Sequence, residues 1–426
     1  MHLIVFDNEI RNNFTPINLN KPTFELLVGG KTILENLLEI INPCKYSLLI
    51  PDYLKNNTEN KHKVNINEEI NEGDEKEIVF VNSLINLNNI PLEKLKREEN
   101  FALISDNNLV LAKCKIRKIN NLTNNNKELI KIIKNHNIKL ESENNVLIKY
   151  PWELLEMNNQ LLTRNINKKL LNKKINLRKS SNKFINIIGS EKSILMGKEV
   201  RIENVIFDTT NGPIEISDNC KLLGYNRICG PCYIGNNTVV KSCIIGSGTM
   251  IGKYAKISGE VENSIISNFS NKSHYGYIGD SYIGEWVNIG AGTTISNLKN
   301  TYGKISMVIN DKLINTDKSK IGSIIGDYVK TSIGTYIYSG KKIGISSHLH
   351  GYVTTDIPSF VIYSNINKSV CTELYKKSAI KTQKEMMRRR NIHYREEEIN
   401  LLEYLYNLTK DERIKLDYKE NKFSIN

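Results

Sequence analysis

The repeat that decides the fold is clearest in the run Ile278-Gly279-Asp280-Ser281-Tyr282-Ile283-Gly284-Glu285-Trp286-Val287-Asn288-Ile289-Gly290, which contains three Ile-Gly pairs. The last two pairs begin six residues apart, and Ile245, Ile251 and Ile257 form another series with this period. One aliphatic residue every six positions, with Gly or Asn at the corners, is typical of a hexapeptide β-helix. The repeat therefore predicts a left-handed parallel β-helix of about eight to ten coils over residues 184–360.

Upstream of this repeat, the apolar residues alternate between strand and helix spacing. Strand patterns occur at residues 1–6, 46–50, 78–81 and 101–104, and residues 33–41 place apolar side chains at helical spacing. Strands and helices in alternation predict an α/β domain with a largely parallel sheet.

Changes in composition divide the chain into four parts. We predict an α/β domain at residues 1–157, a basic helical linker at 158–184, the β-helix at 185–363, and a C-terminal helical segment and tail at 364–426. The segment 373–408 has no Gly or Pro and has apolar residues among Lys, Arg and Glu, which favours a helix. This helix is expected to cap the solenoid or to pack against a neighbouring subunit.

The overall charge favours anionic partners. The 426 residues include 59 Lys and Arg against 46 Asp and Glu, a formal charge of +13, which suits phosphates and nucleotides. Nucleic acid is the least favoured partner because the sequence has no recognised reader motif. No run of 18 apolar residues and no signal-peptide pattern is found, so we expect no membrane segment and a cytoplasmic location.

The seven cysteines do not form the pattern of a disulfide scaffold, because their number is odd and they are scattered along the chain. Cys229-Gly230-Pro231-Cys232 spells a redox dithiol, and zinc binding is a second possibility. A redox dithiol needs a strand-to-helix junction, whereas this segment lies inside the repeat. Small apolar fillers of the solenoid are therefore the favoured interpretation.

The run Ser270–Gly292 contains His274, Tyr277 and Asn288. It resembles the acetyltransferase centre of the bifunctional N-acetylglucosamine-1-phosphate uridyltransferases/glucosamine-1-phosphate acetyltransferases. The resemblance implies that His274 is the general base, that Tyr277 contacts the phosphate or sugar, that Asn288 contacts substrate, and that Ala291 begins the acetyl-CoA pocket. An imidazole suits the role of base because its unperturbed pKa lies near neutral pH.

Two further stretches, Gly284-Glu285-Trp286 and Ser296–Gly303, are similar to a divergent branch of sugar nucleotidyltransferases related to that enzyme. The second stretch contains Asn297, for which the resemblance implies a substrate contact. Lys272 and Lys304 lie near these motifs, and each is either a point charge for the sugar phosphate or solvated surface.

The same branch implies a nucleotidyltransferase of the nucleotide-diphospho-sugar type in the first domain. Its usual pattern has a Gly-rich phosphate loop after strand one, but residues 7–14 contain no glycine, so side chains must supply the cradle. Arg11 stands where the motif Arg sits, and Lys21 and Gly29-Gly30 resemble the second half of the pattern. Asp106 is the best match to the acid that holds Mg²⁺.

Two functions follow from these features. In the first, the α/β domain joins a sugar phosphate to a nucleoside triphosphate with Mg²⁺, and the β-helix acetylates an amino sugar phosphate from acetyl-CoA. In the second, the first domain is degenerate, and the protein is an acyltransferase only or a non-catalytic assembly protein that binds nucleotide sugars. The resemblance also implies a homotrimer, with each acetyl-CoA cleft between neighbouring solenoids.

Overall fold

The computed structural model describes residues 1–97, 99–119, 122–136, 138–171, 184–367 and 369–415. Residues 172–183 of the predicted basic linker (158–184) lie outside the described residues. In the described part of the chain, no helix is both long enough and apolar enough to cross a membrane.

The first domain is an α/β layer around a six-stranded sheet. Its strands are β1 (His2–Phe6), β2 (Leu27–Val28), β3 (Lys31–Thr32), β4 (Lys45–Leu49), β5 (Ile70–Asn82), β6 (Phe101–Ser105), β7 (Asn108–Ile119) and β8 (Leu140–Ser142). Its helices are α1 (Ile33–Ile41), α2 (Lys55–His62), α3 (Leu92–Leu95), α4 (Asn126–Asn135) and α5 (Glu153–Leu171). The large sheet has the order β4-β1-β5-β7-β6-β8, and β2 and β3 form a separate hairpin.

The predicted α/β domain with a largely parallel sheet is confirmed, with three parallel pairings among the five of this sheet. β1 pairs in parallel with β4 and β5, and β6 with β8, but β7 runs antiparallel to both β5 and β6. The reversal occurs at Asp106 and Asn107, which both have positive φ (45° and 62°). Two consecutive residues of this type form the tight hairpin that returns β6 onto β7.

The two faces of the sheet pack against different layers. In β1, Ile4 and Phe6 face a cluster that includes Leu129 and Ile133 of α4. Leu3 and Val5 face a larger cluster that also contains α1, α5 and residues of the second domain. This alternation follows from the two-residue period of a strand. Helix α5 spans the predicted boundary at residue 157, and its buried face belongs to the larger cluster.

The second domain is a parallel β-helix, as the repeat predicts. Its strands are β9 (Ile185–Ile188), β10 (Ile194–Met196), β11 (Arg201–Asp208), β12 (Ile214–Ile216), β13 (Lys221–Cys229), β14 (Cys232–Ile234), β15 (Val239–Ile245), β16 (Thr249–Ile251), β17 (Lys256–Glu262), β18 (Ile265–Ile266), β19 (Asn271–Lys272), β20 (Tyr277–Gly279), β21 (Tyr282–Ile283), β22 (Thr294–Ile295), β23 (Ser306–Ile309), β24 (Lys312–Asn315), β25 (Ser323–Ile325), β26 (Lys330–Thr331), β27 (Tyr336–Ile337), β28 (Lys341–Ile343), β29 (His348–Val353), β30 (Val361–Asn365) and β31 (Ser369–Glu373). An antiparallel hairpin, β23–β24, is inserted into the solenoid.

The register of the solenoid confirms the role assigned to the Ile-Gly pairs. One parallel sheet runs through β10, β12, β14, β16, β18, β21, β25 and β28, which are eight successive coils of the described chain. Their inward isoleucines pair with one another from coil to coil: Ile234, Ile251, Ile266, Ile283, Ile325 and Ile343. Each hydrophobic ladder stabilises the stack because a single coil cannot bury its apolar face alone.

The C-terminal segment departs in part from the single predicted helix. It begins with β31, which pairs antiparallel with β30 and closes the last coil, and continues as α6 (Lys376–Arg388), α7 (Glu396–Leu408) and α8 (Lys410–Lys415). The chain turns between α6 and α7, with Asn391 at φ 55°. Helix α7 then packs against the first domain, where Tyr404 stacks on Tyr53 at 5.2 Å between ring centroids.

Candidate active site

A short loop between β19 and β20 presents His274 to solvent. Lys272 lies behind the loop and is 2% exposed. Its Nζ donates hydrogen bonds to the carbonyl oxygens of Ser258 (2.6 Å), Gly276 (2.6 Å) and His274 (3.3 Å). Burial lowers the pKa of Lys272 to about 8. The ammonium is therefore held by backbone carbonyls and fixes the loop instead of facing a substrate.

Gly276 is required by the close approach of two coils at this loop. Its φ is +128°, and a Cβ at this position would lie 2.1 Å from the carbonyl oxygen of Thr293. His274 itself is exposed, and no hydrogen bond of its imidazole is found in the described part of the chain. The backbone of the loop is thus held in place by Lys272 and by the packing of Gly276, whereas the imidazole of His274 faces solvent.

Tyr277 belongs to a polar network on the next face of the coil. Its hydroxyl donates to Glu262 Oε2 (3.2 Å) and accepts from Asn297 Nδ2 (3.0 Å). Asn297 also donates to Asp280 Oδ2 (2.5 Å), and Asn263 donates to Asp280 Oδ1 (2.6 Å). Burial, and then the carboxylate of Glu262, raise the pKa of Tyr277. The phenol therefore stays protonated and acts as a hydrogen-bond donor.

Asn288 lies one coil after the His274 loop, in an outward-facing column of polar residues. This column, here called the amide column, contains Lys256, Asn271, Asn288 and Lys330 as neighbours in parallel register. Asn271 Nδ2 donates to Asn288 Oδ1 at 3.5 Å. The coils of His274 and Asn288 are also joined by a hydrogen bond from Gly292 N to Tyr275 O (3.0 Å).

Two other predicted site residues lie further along this segment. Ala291 is partly exposed, and its carbonyl accepts from the N–H of Gly334 (2.8 Å). Lys304 is exposed and donates to the carbonyl of Asp317 (2.7 Å). The structure thus joins His274, Tyr277, Asn288 and Asn297 through adjacent coils, and it places Lys304 on an insertion loop.

In the first domain, Arg11 is buried, and its guanidinium donates hydrogen bonds to other residues of the same domain. Its Nε donates to Asp7 Oδ2 (2.9 Å), Nη1 to Tyr53 Oη (3.0 Å), and Nη2 to the carbonyls of Asn18 (2.7 Å) and Lys21 (3.3 Å). Four of the five N–H groups of this guanidinium are thus used inside the protein. Its geometry favours a structural role.

Lys21 reaches across to the β-helix. Its Nζ lies 2.7 Å from Asp327 Oδ2 and 3.2 Å from Glu285 Oε2, and Asn20 Nδ2 donates to the same Asp327 oxygen (2.8 Å). Burial by itself would lower the pKa of Lys21, but Asp327 and Glu285 raise it well above its usual value. We call this group the Lys21 junction: Asn20, Lys21, Glu285 and Asp327.

The Gly29-Gly30 turn is also covered. Gly29 N donates to Asn158 Oδ1 (2.8 Å), and a Cβ on Gly29 would lie 2.5 Å from the Leu161 Cβ of α5. Gly30 N approaches the Met250 sulfur of the solenoid at 3.4 Å. These glycines permit a tight turn (φ +64° and +86°) that packs against α5 and the second domain.

Asp106 does not form part of a cation site. It lies at the tip of the β6–β7 hairpin, is largely exposed, and forms an ion pair with Lys149. Within the described ranges, no group of three or more His, Cys, Asp or Glu side chains could hold a metal ion. One carboxylate already neutralised by a lysine does not fit Mg²⁺, which prefers several oxygen ligands.

Three cysteines, Cys220, Cys232 and Cys243, lie in the hydrophobic interior of the solenoid, as the filler interpretation predicts. Cys220, Cys232 and Cys243 are buried and Cys229 is partly exposed, all as free thiols. Burial raises the pKa of Cys220 to about 11 and that of Cys243 to about 12. Thiols held in this protonated form are poor nucleophiles.

Sequence reasoning missed several residues of the site. Glu262, Asn263 and Asp280 complete the Tyr277 network, and Glu285 and Asp327 hold Lys21. Asn263 and Asp280 carry a local signal, because both have positive φ at solenoid corners (42° and 44°), where short polar side chains are preferred. Asp327 carries no local signal for its partner, which is 306 positions away in the chain.

Comparison with known proteins identifies the family of this chain. A family profile described as "Sugar nucleotidyl transferase" matches residues 3–173. The "Bifunctional protein GlmU" of Methanocaldococcus jannaschii is 30% identical over 322 residues, which cover 75% of this chain and 69% of that relative. The chain belongs to the GlmU family. The "Bifunctional sugar-1-phosphate nucleotidylyltransferase/acetyltransferase" of Sulfurisphaera tokodaii is 34% identical over 178 residues.

The matches to these GlmU-type relatives are partial. The match covers 38% of this chain and 44% of the Sulfurisphaera protein, so it spans less than half of that relative. Among solved structures, the UDP-N-acetylglucosamine acyltransferase of Francisella novicida aligns over 54% of this chain and 79% of its own, with 16% identity and a TM-score of 0.25. The polySia-specific acetyltransferase NeuO aligns over 52% and 99%, with 19% identity and a TM-score of 0.23. The fold assignment rests on the strand pairing described above.

Proposed function

We propose that this protein is a GlmU-type transferase whose β-helix acetylates an amino sugar phosphate from acetyl-CoA at the His274 loop. The observation that carries this proposal is the loop itself: an exposed imidazole on a backbone that the buried Lys272 holds in place. An imidazole that is open to solvent and held in place through its backbone suits a general base. Tyr277, at the end of the same loop, and Asn288, in the next coil, supply polar contacts for the substrate.

The chemistry assigned to these residues is a balanced acyl transfer. The sugar amine attacks the thioester carbonyl, His274 accepts the proton that the amine loses, and a C–N bond forms. The C–S bond then breaks, and the proton passes from His274 to the leaving thiolate of CoA. Asn288 and backbone N–H groups at the coil corners stabilise the oxyanion of the intermediate. The Tyr277 hydroxyl donates its one proton to Glu262, so it contacts the sugar as the acceptor of a hydrogen bond from a sugar hydroxyl.

Family membership also supports nucleotidyl transfer from a nucleoside triphosphate to a sugar phosphate in the first domain. We assign no residue and no metal ion to that step, because Asp106 does not fit a Mg²⁺ site. A second candidate function is therefore acyl transfer alone, with the first domain as a scaffold. The specific observation in its favour is that Arg11, Lys21 and Gly29-Gly30 are all engaged by the protein itself.

A homotrimer is the assembly that the family resemblance implies, and one face of the solenoid suits it. The outward column that contains Tyr277 also contains Ile244, Tyr336 and Tyr352, which are 53%, 44% and 50% exposed. A second copy covering this face would bury apolar surface beside the proposed site. Mass measurement in solution tests the assembly, and a stable monomer with full acetyl transfer would contradict it.

The function is tested by incubating the purified protein with glucosamine-1-phosphate and acetyl-CoA and measuring release of the CoA thiol. In parallel, pyrophosphate release is measured with several nucleoside triphosphates, sugar phosphates and Mg²⁺. Thiol release without pyrophosphate release supports the second candidate, and release of both supports the full bifunctional enzyme. Absence of thiol release would contradict the proposed site.

A further inference from the structure

Helix α6 lies over the amide column and encloses a cavity of about 680 Å³. The solenoid side consists of the amide column together with Ser273, which directly precedes His274, and the rings of Phe269 and Trp286. The helix side consists of Met386, Lys381, Arg389, Arg390 and their neighbours. We call this cavity the α6 chamber. Its volume lies in the range of small-molecule sites, and it adjoins the proposed transfer site.

The charges that line the α6 chamber are strongly unbalanced. Five cations line it: Lys256, Lys330, Lys381, Arg389 and Arg390. The one lining carboxylate, Glu385, forms a bidentate pair with Arg388, which is outside the chamber (2.6 and 2.9 Å). A wall with several like charges and no free counter-charge favours an anion, because each cation raises the local positive potential.

The environment of individual cations supports this. Arg390 lowers the pKa of Lys256, and burial and Arg389 lower it further. Burial lowers the pKa of Lys330 to about 8, and its Nζ donates to the carbonyl of Tyr328 (3.1 Å) rather than to a carboxylate. Arg390 Nη2 donates to Asn271 Oδ1 (2.5 Å), which aims its guanidinium at the amide column. These groups repel one another and would be stabilised by a shared polyanion.

An aromatic stack forms one wall of the same chamber. The rings of Phe269 and Trp286 are parallel at 4.4 Å, and Tyr254 continues the stack at 5.0 Å from Phe269. All three have φ near +60°, which bulky residues rarely adopt. Two earlier coils use Asn219 and Asn237 at such corners. The aromatic residues are thus placed beside the chamber against the backbone preference, and a planar base can pack against them.

We propose that the α6 chamber binds the diphosphate of a nucleotide, with Arg389 and Arg390, which directly follow α6, as binding residues and the aromatic stack as the surface for the base. This inference rests on the proposed function and extends it, since a nucleotide held here lies beside His274. Two sources share this chemistry, the ADP portion of the acyl donor and a nucleotide sugar. Guanidinium groups suit either one because they bind phosphate oxygens in pairs.

The test uses the full chain with Trp152→Phe, which leaves Trp286 as the only tryptophan and reports ligand binding by fluorescence. The probes are CoA, UDP-N-acetylglucosamine and inorganic pyrophosphate. We expect the double variant Arg389→Ala/Arg390→Ala to bind CoA or the nucleotide sugar at least tenfold more weakly. The matched control is Lys377→Ala/Lys384→Ala, which removes the same number of charges from helix α6 at positions outside the chamber lining and should leave the affinity within twofold.

Lys330→Met is a second variant, because it alters the solenoid side and leaves α6 unchanged. It should weaken the same probe and reduce the salt dependence of binding. The probe that responds to these variants identifies the source of the diphosphate. If no probe binds to the unmutated protein at millimolar concentration, or if all affinities survive the double variant and Lys330→Met, the chamber is not a diphosphate site.

The outcome is separable from that of the proposed function. Binding that depends on Arg389 and Arg390, in a protein that shows no acetyl transfer, would support a diphosphate site in the α6 chamber and contradict acetyl transfer at the His274 loop. If Arg389→Ala/Arg390→Ala keeps acetyl transfer with an unchanged KM for acetyl-CoA and an unchanged affinity for the nucleotide sugar, acetyl transfer at the His274 loop is supported and the diphosphate site in the α6 chamber is contradicted.

Discussion

Two buried lysines show how differently the two domains use residues of the same kind. Lys272 of the solenoid is held by three backbone carbonyls, and this arrangement presents the neighbouring His274 to solvent. Lys21 of the first domain is held by two carboxylates of the other domain, and this arrangement closes the surface around it. A motif residue is therefore free for chemistry only where the protein has not already satisfied its polar atoms.

The same contrast extends to the residues around each lysine. In the solenoid, His274 and Asn288 are exposed, whereas in the first domain Arg11 and the Gly29-Gly30 turn are covered. Of the positions that the family resemblance assigns to a nucleotide site, Lys21 and Gly30 contact the second domain instead. The second domain leaves His274 and Asn288 exposed.

The largest effect that would sharpen this contrast is expected from His274→Ala. Loss of a general base lowers acyl-transfer rates by about 10²–10⁴-fold, and an exposed side chain contributes little packing, so the melting temperature should stay unchanged. The rate of CoA thiol release and a thermal melt measure the two effects. Wild-type turnover in this variant would remove His274 from the mechanism.

Next in size is the effect of Lys21→Met on stability. Removing this cation leaves the buried carboxylate of Asp327 and the partly exposed carboxylate of Glu285 without the ammonium that pairs with them, although Asn20 and Asn268 still donate hydrogen bonds to them. Loss of one partner of a buried ion pair typically costs about 3–5 kcal/mol. Urea unfolding measures the loss. The matched control is Lys31→Met, because Lys31 pairs with Glu39 on the surface, where such a pair contributes about 0–1 kcal/mol. Equal stability of the two variants would mean that the Lys21 junction does not stabilise the docked domains.

A smaller effect is expected from the titration of Lys272. Its pKa is about 8 in the folded protein against an ordinary value of 10.5, so the unfolded chain binds more protons between these two values. The free energy of unfolding of the wild type, relative to Lys272→Met, should therefore rise as the pH increases from about 8 to 10.5. Unfolding curves at several pH values check this, and a difference that stays flat or falls would contradict the burial of the ammonium.

The smallest effect is expected from Lys304→Ala. Lys304 is exposed on an insertion loop and contacts a backbone carbonyl, so both the stability and the KM for the sugar phosphate should change by less than about twofold. Surface substitutions of this kind usually shift stability by at most about 0.5 kcal/mol. A large rise in KM would restore Lys304 as a phosphate contact.

The sequence predicts the solenoid well because its period is local. Each inward isoleucine, such as Ile283, follows from its six-residue spacing. The exposure of His274 follows from its place at a corner. The antiparallel return of β7 also has a local cause, the turn at Asp106 and Asn107. The family motif instead predicts Asp106 as a metal ligand.

Contacts between distant parts of the chain could not be predicted in this way. Nothing near Lys21 indicates Asp327, and nothing near Arg390 indicates Asn271, 119 positions earlier. These contacts depend on how the domains and α6 dock, which is decided by packing over the whole molecule. The first-domain site was therefore predicted from motif positions and was found covered, whereas the α6 chamber was missed.

Acyl transfer in the solenoid is the proposal on which the roles of His274 and Asn288 depend. It is tested by comparing CoA thiol release and pyrophosphate release from one preparation of the unmutated protein, with glucosamine-1-phosphate as the acceptor in the first assay. We expect thiol release that depends on both acetyl-CoA and the amino sugar phosphate. Pyrophosphate release without any thiol release would place the chemistry in the first domain and contradict acyl transfer in the solenoid.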